Sequence, residues 1–167
     1  MAANKYIALV SGKLKEIFAS VTSTANAIVA MDSSGRIDVS VLPVGVSAEV
    51  VVVPSSENLA AGDFVNLYPN AGTTNARKAD ATNNTKPAHG FVLAGVTSPA
   101  NATVYLVGNI NTAVTGLTPG TDYYLSTTPG TVTITPPAAA GNIVEFLGRA
   151  TIAGALPMMN ASTIEVA

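Results

Sequence analysis

The stretch Tyr123-Tyr-Leu-Ser-Thr-Thr-Pro-Gly-Thr-Val-Thr-Ile-Thr135 decides the fold. Two runs rich in β-branched and aromatic residues flank Pro129-Gly130. Pro presets the φ of a turn and Gly accepts the positive φ beside it, so the pair predicts a tight hairpin. Outward from there the same reading repeats. Val50 to Val53 is a β-branched run ended by Pro54. Asp63 to Tyr68 alternates Phe64, Asn66 and Tyr68 against Val65 and Leu67. Phe91 to Val96, Thr103 to Val107 and Ile143 to Ile152 are further strand candidates, most of them bounded by Gly, Pro or Asn. Short strands at a spacing of about 8–12 residues predict a mainly β chain, an antiparallel β-sandwich or a barrel of jelly-roll kind. After residue 46 no segment keeps a helical period over about 11 residues.

Residues 1–45 read differently, as an N-terminal arm on a β-domain spanning 46–167. The arm holds two similar pieces, Tyr6-Ile-Ala-Leu-Val-Ser-Gly-Lys-Leu-Lys-Glu-Ile17 and Ile28-Val-Ala-Met-Asp-Ser-Ser-Gly-Arg-Ile-Asp-Val39. Each runs from aliphatic residues through a Ser-Gly turn to a basic residue, an aliphatic residue and a charge. Both read as hairpin-like units. A short helix over 5–21 is the alternative, since Ile7, Val10, Leu14, Ile17 and Val21 recur at helical spacing. Gly12 inside that helix costs about 1 kcal/mol relative to Ala. A segment of about 45 residues buries too little apolar surface to fold alone. Its aliphatic side chains, Ile37 and Val39 among them, must therefore pack on the main domain, a neighbouring copy or a partner.

The chain has 167 residues, enough for one domain or one domain with an arm. Charged residues make up 11%, against roughly 25% in ordinary globular chains. A net charge of -2 offers no electrostatic reason to bind nucleic acid. No apolar run reaches the roughly 18 residues of a membrane span. Lys5, Lys13, Lys15 and Glu16 interrupt the first apolar stretch, so it reads as no export signal. The absence of Cys removes disulfides, thiolate metal sites and cysteine nucleophiles together. Between Pro87 and Val144, Asp122 is the only charged residue. Such a stretch either turns Thr, Ser and Asn outward or is covered by other subunits, because interface cores are depleted in charge. Association between copies through neutral contacts, insensitive to salt, is the expectation.

Residues that carry chemistry are few. His89 is the only histidine; no second His and no Cys complete a zinc site, and no Gly-x-Ser-x-Gly elbow accompanies it. It reads as a structural or solvent-facing residue. The acidic residues are scattered and form no calcium loop. Ser11-Gly12-Lys13 lacks the earlier glycine of a phosphate loop. Arg77, Lys78, Asp80 and Lys86 surround the Asn- and Thr-rich text ADATNNT, which reads as a solvated hairpin tip. We assign no catalytic, cofactor-binding or metal residue from the sequence and expect no enzyme.

Two resemblances add to this. Gly116-Leu-Thr-Pro-Gly-Thr-Asp-Tyr-Tyr-Leu125 resembles the tyrosine corner of fibronectin type III modules, in which a Tyr hydroxyl bonds back to the preceding corner. The core Trp of those modules is absent, and the strand turns at Pro129-Gly130 where the module runs on. An adhesion module of this type is kept as a further alternative.

The wider succession of phrases resembles capsid decoration, or cement, proteins of tailed bacteriophages. Ile28 to Pro43 carries it, with Leu59-Ala-Ala-Gly-Asp-Phe-Val-Asn-Leu67, Arg77-Lys-Ala-Asp80 and His89-Gly-Phe-Val-Leu93. So do Gly116 to Leu125, Gly130-Thr-Val-Thr-Ile-Thr-Pro-Pro137 and Val144-Glu-Phe-Leu-Gly-Arg-Ala150. The resemblance implies a small β-rich virion protein, often trimeric, bound to the major capsid protein on the outer surface of the head, with no cofactor, no nucleic acid and no membrane as partner. The Asp32-Ser-Ser-Gly-Arg-Ile-Asp38 phrase is shared with phage tail- and head-fibre proteins, so a fibre or baseplate component in host recognition is the alternative.

Overall fold

The computed structural model describes residues 5–10, 13–20, 27–33, 35–37, 41, 49–159 and 162–167. The chain divides into two compact units, Met1–Ser47 and Ala48–Ala167. Among the described residues there are strands and turns and no α-helix, so the protein is mainly β.

In the N-terminal unit, strands β1 (Lys5–Val10) and β2 (Lys13–Ser20) pair antiparallel from Lys5↔Phe18 to Val10↔Lys13. The helix considered for 5–21 is not formed. The register sets Ile7 opposite Glu16, Val10 opposite Lys13 and Ile17 opposite Tyr6, so the residues at helical spacing are shared between two paired strands, and Gly in the sequence between them disfavours a helix. Strand β3 (Ile28–Val29) joins β2 in parallel. The second repeat makes its expected turn. The Asp32 N–H donates to the Arg36 carbonyl at 2.8 Å, Gly35 N–H donates to the Asp32 carbonyl, and Arg36 N–H donates to Asp32 Oδ1 at 2.9 Å. Gly35 takes the positive φ of 74° that this reversal needs. The leg that would return, from Asp38 to Ser40 with Val39 in it, lies outside the described residues.

The C-terminal unit is built on a five-stranded antiparallel sheet. In chain order its strands are β4 (Val50–Pro54), β5 (Phe64–Asn70), β6 (Thr73–Lys78), β7 (Gly90–Val92) and β8 (Asn101–Leu106). In space the order is β4-β8-β7-β5-β6. Strand alternation gives the sheet two apolar faces. On one, Phe64, Phe91 and Tyr105 form a row across β5, β7 and β8 through the pairs Phe64↔Phe91 and Phe91↔Tyr105. The Phe91 and Tyr105 rings stack with centroids 5.7 Å apart. On the other face, Val92, Val104 and Val51 line up in the same way, with Val65, Ala76 and Ala102 beside them and Leu59 capping the cluster.

That second face is enclosed because the sheet curls. Ser55, just past β4, forms a parallel bridge with Ala76 of β6, the opposite edge. The Ser56 N–H and hydroxyl both donate to the Ala76 carbonyl, at 2.9 and 3.2 Å. One bridge is not a ladder, so the described strands form no closed barrel.

The aromatic face is covered by the later strands: β9 (Ile110–Asn111), β10 (Asp122–Leu125), β11 (Val132–Thr133), β12 (Ile143–Val144), β13 (Phe146–Arg149), β14 (Leu156–Pro157) and β15 (Ile164–Glu165). They form the sheet β11-β10-β13 and the pairs β12-β15 and β14-β9. Leu125, Ile143, Leu147, Leu156 and Met158 pack with Phe64 and Phe91 in the larger core. The hairpin read at Pro129-Gly130 is present: Leu125 pairs with Val132, and Gly130 has φ 79°.

The single run expected over Ile143–Ile152 is split at Glu145. Within β13 the register then slips by one residue, pairing Tyr123 with Gly148 and Tyr124 with Phe146 and leaving Leu147 as the extra residue. The bulge sits against Gly148, whose φ is 155° and whose missing Cβ leaves room for the Pro157 carbonyl.

Candidate functional site

The charged cluster is not the solvated tip expected from its sequence. Arg77 and Lys78 lie on β6, half-buried. Arg77 Nε donates to Asn66 Oδ1 at 2.9 Å, its Nη2 donates to the Thr85 carbonyl at 2.8 Å, and its guanidinium lies 4.2 Å from the centroid of the Tyr68 ring. Lys78 pairs with Asp63 at 3.2 Å. Asp80 is only 2% exposed and pairs with Lys86 at 2.9 Å. Burial works against its charge. The Thr82 hydroxyl, the Lys86 ammonium and the Thr82 N–H outweigh that and hold the carboxyl below the usual range. Asn83 accepts from the Thr85 N–H in the next turn. Short polar side chains that satisfy their own loop give the same composition as a floppy tip, which is why the sequence misleads here.

His89 follows this loop at the entry to β7. Its backbone N–H donates to the Val65 carbonyl at 2.8 Å. Its Nδ1 accepts the Leu67 N–H at 2.9 Å, so the ring continues the β5 ladder where β7 has no backbone to offer. Burial pushes the imidazole below its ordinary value. The Leu67 N–H aimed at Nδ1 also favours the neutral ring, because a protonated Nδ1 could not accept it. The same bond bars His89 from the base position of a Ser-His-acid triad, where Nδ1 must donate to the acid.

Beside His89 opens a cleft of about 440 Å³ whose lining includes Glu145, Val107, Met158, Met159, Ser162 and Thr163. Glu145 is 5% exposed. Its Oε2 accepts the Ala88 N–H at 2.9 Å. Burial raises its carboxyl to about 7, with the Ala88 N–H pulling the other way. In the sequence Glu145 is one of several scattered acids. The available signal was a charge inside the apolar run Ile143–Leu147, where a strand has to bury it. Among the described residues no three His, Asp or Glu side chains gather as metal ligands. No helix among them is long and apolar enough to cross a membrane.

The remaining surface is rich in aliphatic side chains. In the N-terminal unit Ile7 is 75% and Leu14 76% exposed, with Ile28, Val29, Met31 and Ile37 also open to solvent. In the C-terminal unit Val50, Val52, Ile110, Ile134, Ile152 and Ile164 are exposed. Asp122, the only charge between Pro87 and Val144, is held by two bonds from Arg149, at 2.6 and 3.1 Å, and its carboxyl is pulled below the usual range by that guanidinium.

No protein-family model, characterised protein or solved structure matches the chain.

Proposed function

We propose that the protein is a structural virion component, a decoration protein that binds the outside of a tailed-phage head as a homotrimer and stabilises the shell against the pressure within. The observation that carries this reading is the exposed aliphatic surface of both units, set in a chain whose longest neutral stretch holds one charge that is already paired. Apolar surface of this kind becomes stable when another polypeptide covers it. The partners are further copies of the chain and the major capsid protein. The N-terminal unit supplies attachment: its aliphatic residues and strand edges suit strand addition to a neighbour. The phage-like phrases quoted above support the setting.

The Asp32–Arg36 turn, which forms as a discrete reversal, also suits the fibre reading, since that phrase is common to both groups. Counting copies of the chain in purified particles separates the two. A decoration protein is present in a fixed high ratio to the shell protein. A fibre component is present only at the stoichiometry of vertices or tail, and that result would replace the decoration reading.

A further inference from the structure

We propose that the cleft between His89 and Glu145 binds an alkylammonium group, the head of a lysine side chain or of a free aliphatic amine. The carboxyl is the first reason. Asp63, Asp80 and Asp122 each have a Lys or Arg partner, whereas Glu145, more buried than Asp63 and Asp122, has no cation among the described residues. A buried carboxylate without a counterion is unfavourable. Its Oε2 is occupied by the Ala88 N–H. Its Oε1 has no hydrogen bond among the described residues, yet every fully enclosed side-chain oxygen and nitrogen of the described residues has a partner, so Oε1 opens to the cleft.

The rest of the lining fits an ammonium on a methylene stem. Val107, Met158 and Met159 offer apolar walls, and Met adapts to the shape of a flexible chain. Ser162 and Thr163 add hydroxyl oxygens that can accept the ammonium protons the carboxylate leaves over. His89, with Nδ1 taken by Leu67 N–H, is neutral and adds no repelling charge. A metal ion is poorly served here, because one carboxylate and one imidazole fall short of three ligands. The raised carboxyl of Glu145 agrees with a site waiting for a cation, since a bound ammonium favours the ionised form.

The test is a nuclear magnetic resonance titration of the full chain, with n-butylammonium and Nα-acetyl-lysine amide as probes and n-butanol as the uncharged control. With the pH about one unit above the Glu145 midpoint, both amines should shift the Ala88, Glu145 and Met159 amides saturably in the millimolar range. The butanol should not. Isotope-labelled glutamate reports the carboxyl directly: saturating amine should lower the Glu145 midpoint, by about one pH unit for each tenfold preference for the ionised form. That readout separates Glu145 from His89, the other titratable group lining the cleft. Glu145→Gln, which keeps the acceptor for Ala88 N–H, should weaken amine binding at least about tenfold. Tighter binding of the lysine amide points to a polypeptide side chain, and equal or tighter binding of butylammonium to a free amine. An unmoved Glu145 midpoint, equal shifts with butanol, or undiminished binding to E145Q overturns the proposal. None of these outcomes depends on whether the chain decorates a phage head.

Discussion

The Tyr123 hydroxyl accepts the backbone N–H of Thr118, five residues upstream, at 2.8 Å. The ring is buried, and its bond locks the Gly116–Thr121 corner onto the start of β10. Tyr123→Phe keeps the ring and strands the Thr118 donor, so it should cost about 1–2 kcal/mol of unfolding free energy. Urea titration checks this. An unchanged midpoint would mean that the corner stands without the bond.

Glu145 should make the protein less stable as pH rises toward neutrality. Its folded value of about 7 lies above the ordinary 4.5, so between those values the folded state holds a proton that the unfolded state has lost. Stability therefore falls across that window, by about 3 kcal/mol when complete. His89 acts with the opposite sign: its folded value is lowered below 6.5, so its contribution rises with pH up to 6.5. Glu145→Gln should abolish the falling limb and leave the rising one. Denaturant unfolding at a series of pH values reads both.

Lys86→Met should leave Asp80 with only Thr82 to hold its charge. The lysine is about a third exposed, so the loss should be about 1–3 kcal/mol at neutral pH, less than for a sealed pair. Asp80 contributes stability above 3.8 that disappears as pH falls through its lower folded value. The difference between variant and parent should therefore shrink in acid. A gap that persists below both values would place the effect in packing rather than charge.

Gly148→Ala should be among the most damaging single changes. The residue has φ 155°, and a Cβ there collides with the Pro157 carbonyl of β14. Either the β10–β13 bulge or the β14–β9 pair has to give, at a cost of more than about 2 kcal/mol. Thermal unfolding measures it.

Ile7→Asp combined with Leu14→Asp should leave the stability of the C-terminal unit unchanged and weaken assembly. Both side chains are exposed, so neither opens a cavity. Sedimentation of the parent should give trimers that persist in high salt, because neutral contacts are not screened. A double variant that assembles like the parent would show that this hairpin takes no part.

What the sequence made legible was local. Val50–Val53, the alternation at Asp63–Tyr68 and the Pro129-Gly130 turn lead directly to β4, β5 and the β10–β11 hairpin, because each signal is carried by neighbouring residues. Strand β6 was missed. Thr73–Lys78 has no apolar alternation, and its half-buried Arg77 and Lys78 are satisfied by Asn66 and Asp63, which lie elsewhere in the sequence. The Ile143–Ile152 run reads as one strand; it breaks at Glu145, which bonds to the Ala88 N–H, and its extra residue sits beside Gly148 under the Pro157 carbonyl, partners that lie far off in the sequence or past the run. The cleft was illegible for the same reason: His89 and Glu145 meet through a fold, not through spacing.

The curled sheet has a mechanical consequence. Strand β4 is the first element of the C-terminal unit, so any tension carried along the chain from residue 48 enters the fold there. A free edge strand tears away rung by rung from its one neighbour. Here β4 is zipped to β8 along its length and is pinned past its far end by the bonds of Ser56 to Ala76 on β6. To pull it loose, a load must break both flanks and unroof the cluster around Leu59, Val51 and Val53. The strand that opens the unit is thus its rivet rather than its loose thread.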